Sequence, residues 1–239
     1  MSFVTLVRHG QASFFADDYD RLTPLGEQQS RLLGKYWARH GLQFSEVYTG
    51  PRSRQKQSAS AAGEAMREAG LAWPEPIVID GLDEFDLDGI LHRLAPDLSR
   101  RDAAFATLLQ RFRQSHGDHD RVRHFQIMFE ALLMHWQSAP AAEPVHESWA
   151  AFRERVIRTI RQIVDRPGRG RRVAVFTSGG VIGATTSWAL AAPDRTALEL
   201  GWRLRNSALT DFVFTHNRLN VDSFNGVPHL EDPVLWTYR

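Results

Sequence analysis

Four short apolar runs, each stopping at a loop and most leading on to a segment of helical periodicity, constrain most strongly what this chain can fold into. Phe3 to Val7 ends at Arg8-His9-Gly10, and Glu46 to Thr49 ends at Gly50-Pro51. Ile77 to Ile79 runs into the acidic stretch Asp80 to Asp86, and Val173 to Thr177 runs into Ser178-Gly179-Gly180. The length of these runs fits buried strands rather than helices. Between them lie an amphipathic segment carrying Leu32, Leu33, Tyr36 and Trp37, and an Ala-rich segment from about Ser53 to Ala69. A third, from about Ser148 to Val164, shows Trp149, Phe152, Val156, Ile160 and Ile163 on one face. The first of these helices opens at Thr23-Pro24, a capping residue before a proline that a first turn tolerates. Asp211 to Phe214 and Asn220 to Phe224 read as a late hairpin or a neighbouring strand pair.

Strands alternating with helices predict an α/β fold: a three-layer sandwich with a mostly parallel sheet and helices on both faces. From about Ile90 to Trp136 the spacing is helical without a strand, and Pro140 to Pro144 resembles a linker. The expected organisation is therefore a single domain over 1–239 with a helical insertion at about 90–145, at the strand ends and over the site. In such sheets ligands bind beyond the carboxyl ends of the strands, where three of the informative tripeptides fall.

Composition removes several functions. With 29 Lys plus Arg against 28 Asp plus Glu, the formal charge is +1, so no single-sign field recruits nucleic acid or an anionic membrane. There is no cysteine, which excludes disulfide scaffolds, thiolate metal sites and cysteine nucleophiles. No apolar run approaches the roughly 18 residues needed to span a bilayer, and the first residues lack the pattern of a signal peptide. The expected setting is cytoplasmic, with no nucleic acid and no membrane partner.

The histidine of Arg8-His9-Gly10 is a credible nucleophile toward phosphorus, an adjacent guanidinium can hold phosphate oxygens, and the glycine lets a ligand approach the backbone. A carboxyl that works as an acid would come from the crowded set Asp83, Glu84, Asp86 and Asp88. Ser178-Gly179-Gly180 at the start of a helix offers N–H groups and a positive dipole end to an anion, although Ser178 is equally suited to capping the helix. His116, His119 and His124 near Asp118 and Asp120 match no closed metal-ligand set and read as a solvated loop. Arg166, Arg169, Arg171 and Arg172 read as a solvated basic turn. Phe125, Phe129 and Trp136 read as packing.

The order of these segments carries a resemblance. Arg8-His9-Gly10, then Leu22-Thr23-Pro24-Leu25-Gly26-Glu27-Gln28-Gln29, then Gly50-Pro51-Arg52-Ser53-Arg54-Gln55-Lys56-Gln57-Ser58-Ala59 resembles the histidine phosphatase superfamily, the phosphoglycerate mutase-like group. Leu82-Asp83-Glu84, Glu147-Ser148 and the glycine-rich turn at 178–180 extend it over almost the whole chain except roughly Ile90 to Ala142. The resemblance implies that His9 is the nucleophile that becomes phosphorylated, that Arg8 and Arg54 clamp the phosphoryl group, and that Glu84 protonates the leaving oxygen. Arg54 takes the clamp role because the tail Gln57-Ser58-Ala59 follows it, leaving Arg52 as a solvated helix start.

Two departures from the family pattern stand out. Ser178 occupies the place of a second histidine, and losing one charge-assisted hydrogen bond costs about 1.5–3 kcal/mol, roughly 10- to 150-fold in rate. Ser178 and Gly179 are then expected to line the phosphate pocket. Gln11 to Phe15 replaces polar positions with two aromatics, which favours hydrolysis over a mutase and a substrate with an apolar part. The expected activity is a phosphatase acting on a small phosphorylated substrate without metal or organic cofactor. The alternatives are a phosphomutase, or a catalytically impaired protein that binds a phosphorylated ligand.

Overall fold

The computed structural model describes residues 1–13, 20–116, 118–139 and 147–238, with the side chains of Asp118 and His119 outside the description. It divides into two compact units, Met1–Glu84 with Arg155–Arg239, and Phe85–Glu154.

The first unit is built on a six-stranded sheet. β1 (Ser2–Arg8), β2 (Glu46–Thr49), β3 (Ile77–Val78), β4 (Arg172–Thr177), β5 (Leu209–Thr215) and β6 (Arg218–Gly226) lie in the order β3-β2-β4-β1-β5-β6. β1 pairs parallel with β4, and β2 with both β3 and β4. β5 runs antiparallel to β1 and β6, so the late hairpin closes one edge of an otherwise parallel sheet. Asn217, at φ 63°, makes the tight hairpin turn between β5 and β6. The third strand is shorter than its apolar run, ending at Val78, and both its residues are exposed at the sheet edge.

One face of the sheet packs Val7, Val47, Ala174, Phe176 and Leu209 under α1 (Pro24–Arg39) and α2 (Ser53–Glu68). Those helices contribute Leu33, Trp37, Ala59, Ala62 and Met66, and Phe44 and Trp73 fill the gap between. On the opposite face the alternate residues Val4, Leu6, Val173 and Val175 are also buried. That face faces inward because strand side chains alternate, and α8 (Gly179–Ala189) contacts β1 there. The α/β expectation, with a mostly parallel sheet and helices on both faces, holds.

The second unit contains α3 (Leu87–Gly89), a π-helical stretch at Ile90–Leu94, α4 (Ala95–Arg101), α5 (Ala103–Arg113) and α6 (Asp118–Ser138). It also holds the start of α7 (Trp149–Val164), whose remainder from Arg155 belongs to the first unit. Phe85, Trp136, Trp149 and Phe152 form its aromatic core, with ring centroids 5.2–6.1 Å apart. Phe125 stacks on Phe129 at 5.2 Å, so the aromatic set at helical spacing packs within this unit. α9 (Asp194–Arg203), a helix outside the sequence expectations, buries Ala197 and Leu198. Among the described residues, no helix is long and apolar enough to cross a membrane, and no three His, Cys, Asp or Glu side chains gather as a metal site.

Thr23 caps α1 as its sequence suggests, accepting from the Gly26 N–H at 3.1 Å with Pro24 in the first turn. The basic turn, by contrast, is not simply solvated. Arg171 is 5% exposed and donates to the carbonyls of Ile163, Val164 and Arg166. Its Nε also meets Glu46 at 2.7 Å. The last carbonyls of α7 have no intrahelical donors, and one guanidinium with five N–H groups satisfies several at once. Burial alone would raise the Glu46 carboxyl, but hydrogen bonds from Arg171 and Tyr48 outweigh it and hold the group below its usual value. Arg171→Leu therefore takes from Glu46 its closer cation, leaving it Tyr48 and Arg166 at 3.5 Å, and strands the helix carbonyls. Urea unfolding is expected to show a loss of about 3–5 kcal/mol, against less than about 0.5 kcal/mol for the exposed Arg169→Leu.

Candidate active site

The site forms where β1 and β4 end side by side. Arg8 is paired with Thr177, and the ladder continues for one more bond as the His9 N–H donates to the Thr177 carbonyl at 2.9 Å. His9 and Ser178 are therefore the first residues past two adjacent parallel strands. Both are buried, at 3% and 1% exposure.

The partners of His9 define its protonation. Nδ1 lies 2.7 Å from the Gly10 carbonyl, which only accepts, so Nδ1 carries the hydrogen. Nε2 accepts from Arg54 Nε–H at 3.2 Å, which requires its lone pair. Burial first, then the charges of Arg54 and Arg8, push the His9 pKa well below 6.5, against a smaller raising effect from Gly10. The result is a neutral imidazole with an unprotonated Nε2 held beside a guanidinium.

The loop that carries His9 is tied down on every side. The Gly10 N–H donates to Ser58 Oγ at 2.9 Å, and Ser58 in turn donates to the Arg54 carbonyl. The Gln11 N–H donates to the side chain of Gln29, whose amide group reaches Leu235 and Thr237 near the end of the chain. Gln57 accepts from the Leu22 N–H at 2.9 Å. The polar tail Gln57-Ser58 thus clamps the loops before α1 and after β1. Gly10 does not open space for a ligand, as its sequence position suggested. A Cβ there would lie 2.2 Å from the Gly26 carbonyl oxygen, so the two glycines let the loop that carries His9 and α1 touch backbone to backbone.

Arg54 is 4% exposed and, besides His9, holds Asp20 at 2.8 Å. Asp20 also accepts from the Ser53 N–H at the start of α2. Arg8 donates to the Leu204 carbonyl, and its Nε lies 4.0 Å from where a Gly179 Cβ would stand. Arg52 is not a free solvated side chain: its Nε binds Asp83 at 2.6 Å.

That pairing sorts the acidic cluster. Asp83 is engaged with Arg52, and Asp86 caps α3 by accepting from the Gly89 N–H. Glu84 instead accepts from the Gly180 N–H at 3.0 Å, at the N-terminus of α8. Arg155 holds the segment before it through the carbonyls of Gly81 and Asp83, both at 3.0 Å. Ser178 occupies the N-cap position of α8, yet its side chain makes no capping bond. It accepts from Gln55 Nε2 at 2.8 Å. The structure thus links His9 to Arg54 directly, Glu84 to the start of α8, and Ser178 to α2.

Asp20 is absent from the sequence analysis, and Gln29, Gln55 and Ser58 enter it only as letters of motifs, without roles. Their roles arise from partners 18 to 208 residues away, and no local pattern announces those partners. Phe14 and Phe15 lie outside the described residues, as does the Pro140 to Pro144 segment.

The family model for the histidine phosphatase superfamily (branch 1) matches residues 4–118 and 107–226, and the chain belongs to that superfamily. Among solved structures it is similar to a phosphoserine phosphatase from Entamoeba histolytica in complex with phosphoserine. That match has 18% identity, spans 96% of this chain and 100% of the other, and has a TM-score of 0.62. It is also similar to Bacillus stearothermophilus YhfR (19% identity, 97% and 100%, TM-score 0.63). A third is a mycobacterial glucosyl-3-phosphoglycerate phosphatase in complex with inorganic phosphate (20% identity, 94% and 97%, TM-score 0.60). At these identities the likeness is one of fold. A search of curated protein sequences returns no match.

Two buried histidines make the pH behaviour checkable. His229 is 5% exposed, bonded to Ser207 at 2.9 Å, and burial lowers its pKa to about 3. Both rings favour the neutral form in the fold, so their contribution to stability is complete above pH 6.5 and is lost as pH falls below it. By pH 5, His229 alone accounts for about 2 kcal/mol. NMR of the ring signals should show His229 not titrating between pH 8 and 5 and His9 with its midpoint well below 6.5; an inflection near 6.5 in either would contradict the geometry.

Proposed function

We propose that the protein hydrolyses phosphate monoesters of a small molecule through a phosphohistidine on His9. The observation that supports this most is the tautomer: a buried ring whose Nδ1–H is engaged by Gly10 and whose Nε2 lone pair faces Arg54. An imidazole that stays neutral is a nucleophile at every ordinary pH.

In this reading the substrate phosphate displaces the Arg54 contact on Nε2 and draws the Arg54 and Arg8 guanidinia onto its oxygens. Nε2 attacks phosphorus as the ester P–O bond breaks, and the leaving oxygen takes a proton from Glu84. The phosphoryl dianion, sitting near the α8 N-terminus, adds negative charge beside Glu84 and raises its affinity for that proton. Water then attacks the phosphohistidine, gives a proton to Glu84, and leaves inorganic phosphate and free Nε2. Spread charge on the transferring group is met by cations and N–H donors, Gly179 and Ser178 included. The arginines supply positive charge without a metal or organic cofactor. We place the activity in the cytoplasm, on neither nucleic acid nor membrane.

The deciding measurement is phosphate release from para-nitrophenyl phosphate between pH 5 and 8. Wild type is expected to turn over, His9→Ala to lose turnover, and Glu84→Gln to fall about 10²- to 10⁴-fold. Rapid acid-free quenching should trap a phosphoryl group on His9 in the wild type. Equal turnover by wild type and His9→Ala would refute the mechanism.

A further inference from the structure

We infer that Gln55 is a positioning residue that turns the Ser178 hydroxyl hydrogen toward the bound phosphoryl group, the two side chains together forming a donor to it. The inference rests on the proposed phosphatase reading for the identity of the ligand.

The argument runs from hydrogen-bond polarity. The Gln55 side-chain oxygen accepts from the Arg52 backbone N–H at 3.1 Å at the start of α2. A backbone N–H can only donate, so the amide cannot be the other way round. Its nitrogen is therefore the group 2.8 Å from Ser178 Oγ, and it donates. The Ser178 oxygen is the acceptor in that contact, which leaves the hydroxyl hydrogen to be used elsewhere.

That hydrogen has no acceptor among the described residues, and the Ser178 oxygen takes no capping N–H from α8. Gln55 is fully buried and Ser178 is 1% exposed, so an unmatched donor here is costly in the empty protein. It sits one residue beyond Thr177, whose carbonyl receives the His9 N–H, and one residue before the α8 N-terminus that holds Glu84. An anion between His9 and α8 is the acceptor it lacks.

The backbone makes room for this arrangement. A Cβ on Gly50 would stand 2.1 Å from the Gln55 side-chain oxygen, so the glycine at the end of β2 is what admits the amide. Serine alone is short and its hydroxyl rotates freely. Serine held by an amide anchored at its other end is a preorganised donor, which costs no reorganisation when the ligand arrives.

A double-mutant cycle tests this, with the affinity for inorganic phosphate by titration calorimetry and turnover of para-nitrophenyl phosphate as separate readouts. Ser178→Ala and Gln55→Met are each expected to weaken phosphate binding and lower kcat by about 10-fold or more. The double variant is expected to be no worse than the weaker single one, because both remove the same bond. Gln55→Glu keeps an acceptor for the Arg52 N–H and guards against a folding defect, checked by thermal melting. Its second oxygen captures the Ser178 hydrogen. In the Ser178→Ala background this change measures the added charge alone, so a larger loss with Ser178 present is the expected result. Additive losses, or unchanged binding in Gln55→Met, overturn the inference. So does a parent chain that binds no phosphate. A parent chain that shows the coupling in phosphate affinity yet never turns over supports the inference and refutes the phosphatase reading.

Discussion

The parallel pairing of β1 with β4 is the contact on which the site depends. These two strands are separated by most of the chain, yet their ladder brings Arg8 beside Thr177 and runs on from the His9 N–H to the Thr177 carbonyl. Because the register of a strand pair sets every side chain to one face or the other, a slip of one residue would move His9 out of line with Ser178 and the start of α8. The buried runs Val4–Val7 and Val173–Phe176 hold that register through burial on both faces.

Around that pairing, α2 acts as the frame. Arg54 reaches Nε2 of His9, Ser58 takes the Gly10 N–H, Gln57 takes the Leu22 N–H, and Gln55 holds Ser178. Four consecutive or nearly consecutive residues on one helix thus address three different segments. Polar residues this deeply buried are stabilised only when their hydrogen bonds are made, so the first turns of α2 can hold just one arrangement of the loops they meet. The same economy is visible at Arg171, where a single guanidinium closes the end of α7 and pairs with Glu46.

Strand and helix alternation, the capped start of α1 at Thr23 and the limits of β2 and α2 were legible because each is a local pattern of apolar spacing or capping chemistry. The hairpin β5–β6 was legible for the same reason. α9 was not: its N-cap is Pro193, which makes no side-chain capping bond to mark the start. Of the candidate site, Arg8, His9, Arg54, Glu84 and Ser178 could be named from the order of short motifs. The partners of the neighbouring carboxyls could not: Asp83 pairs with Arg52, Asp86 with the Gly89 amide and Glu84 with the Gly180 amide.

What the amino-acid sequence determined by itself was the class of fold, the family, and the residue types available for chemistry, all of which follow from periodicity, motif order and composition. Tertiary structure alone decided how those residues are used. The tautomer of His9, the pairing of Arg52 with Asp83, the backbone contact that explains Gly10 and the orientation of Gln55 toward Ser178 each depend on groups brought together across long stretches of chain. The physical reason is that hydrogen-bond polarity and burial belong to a pair of groups in space, and a sequence position carries only one of them.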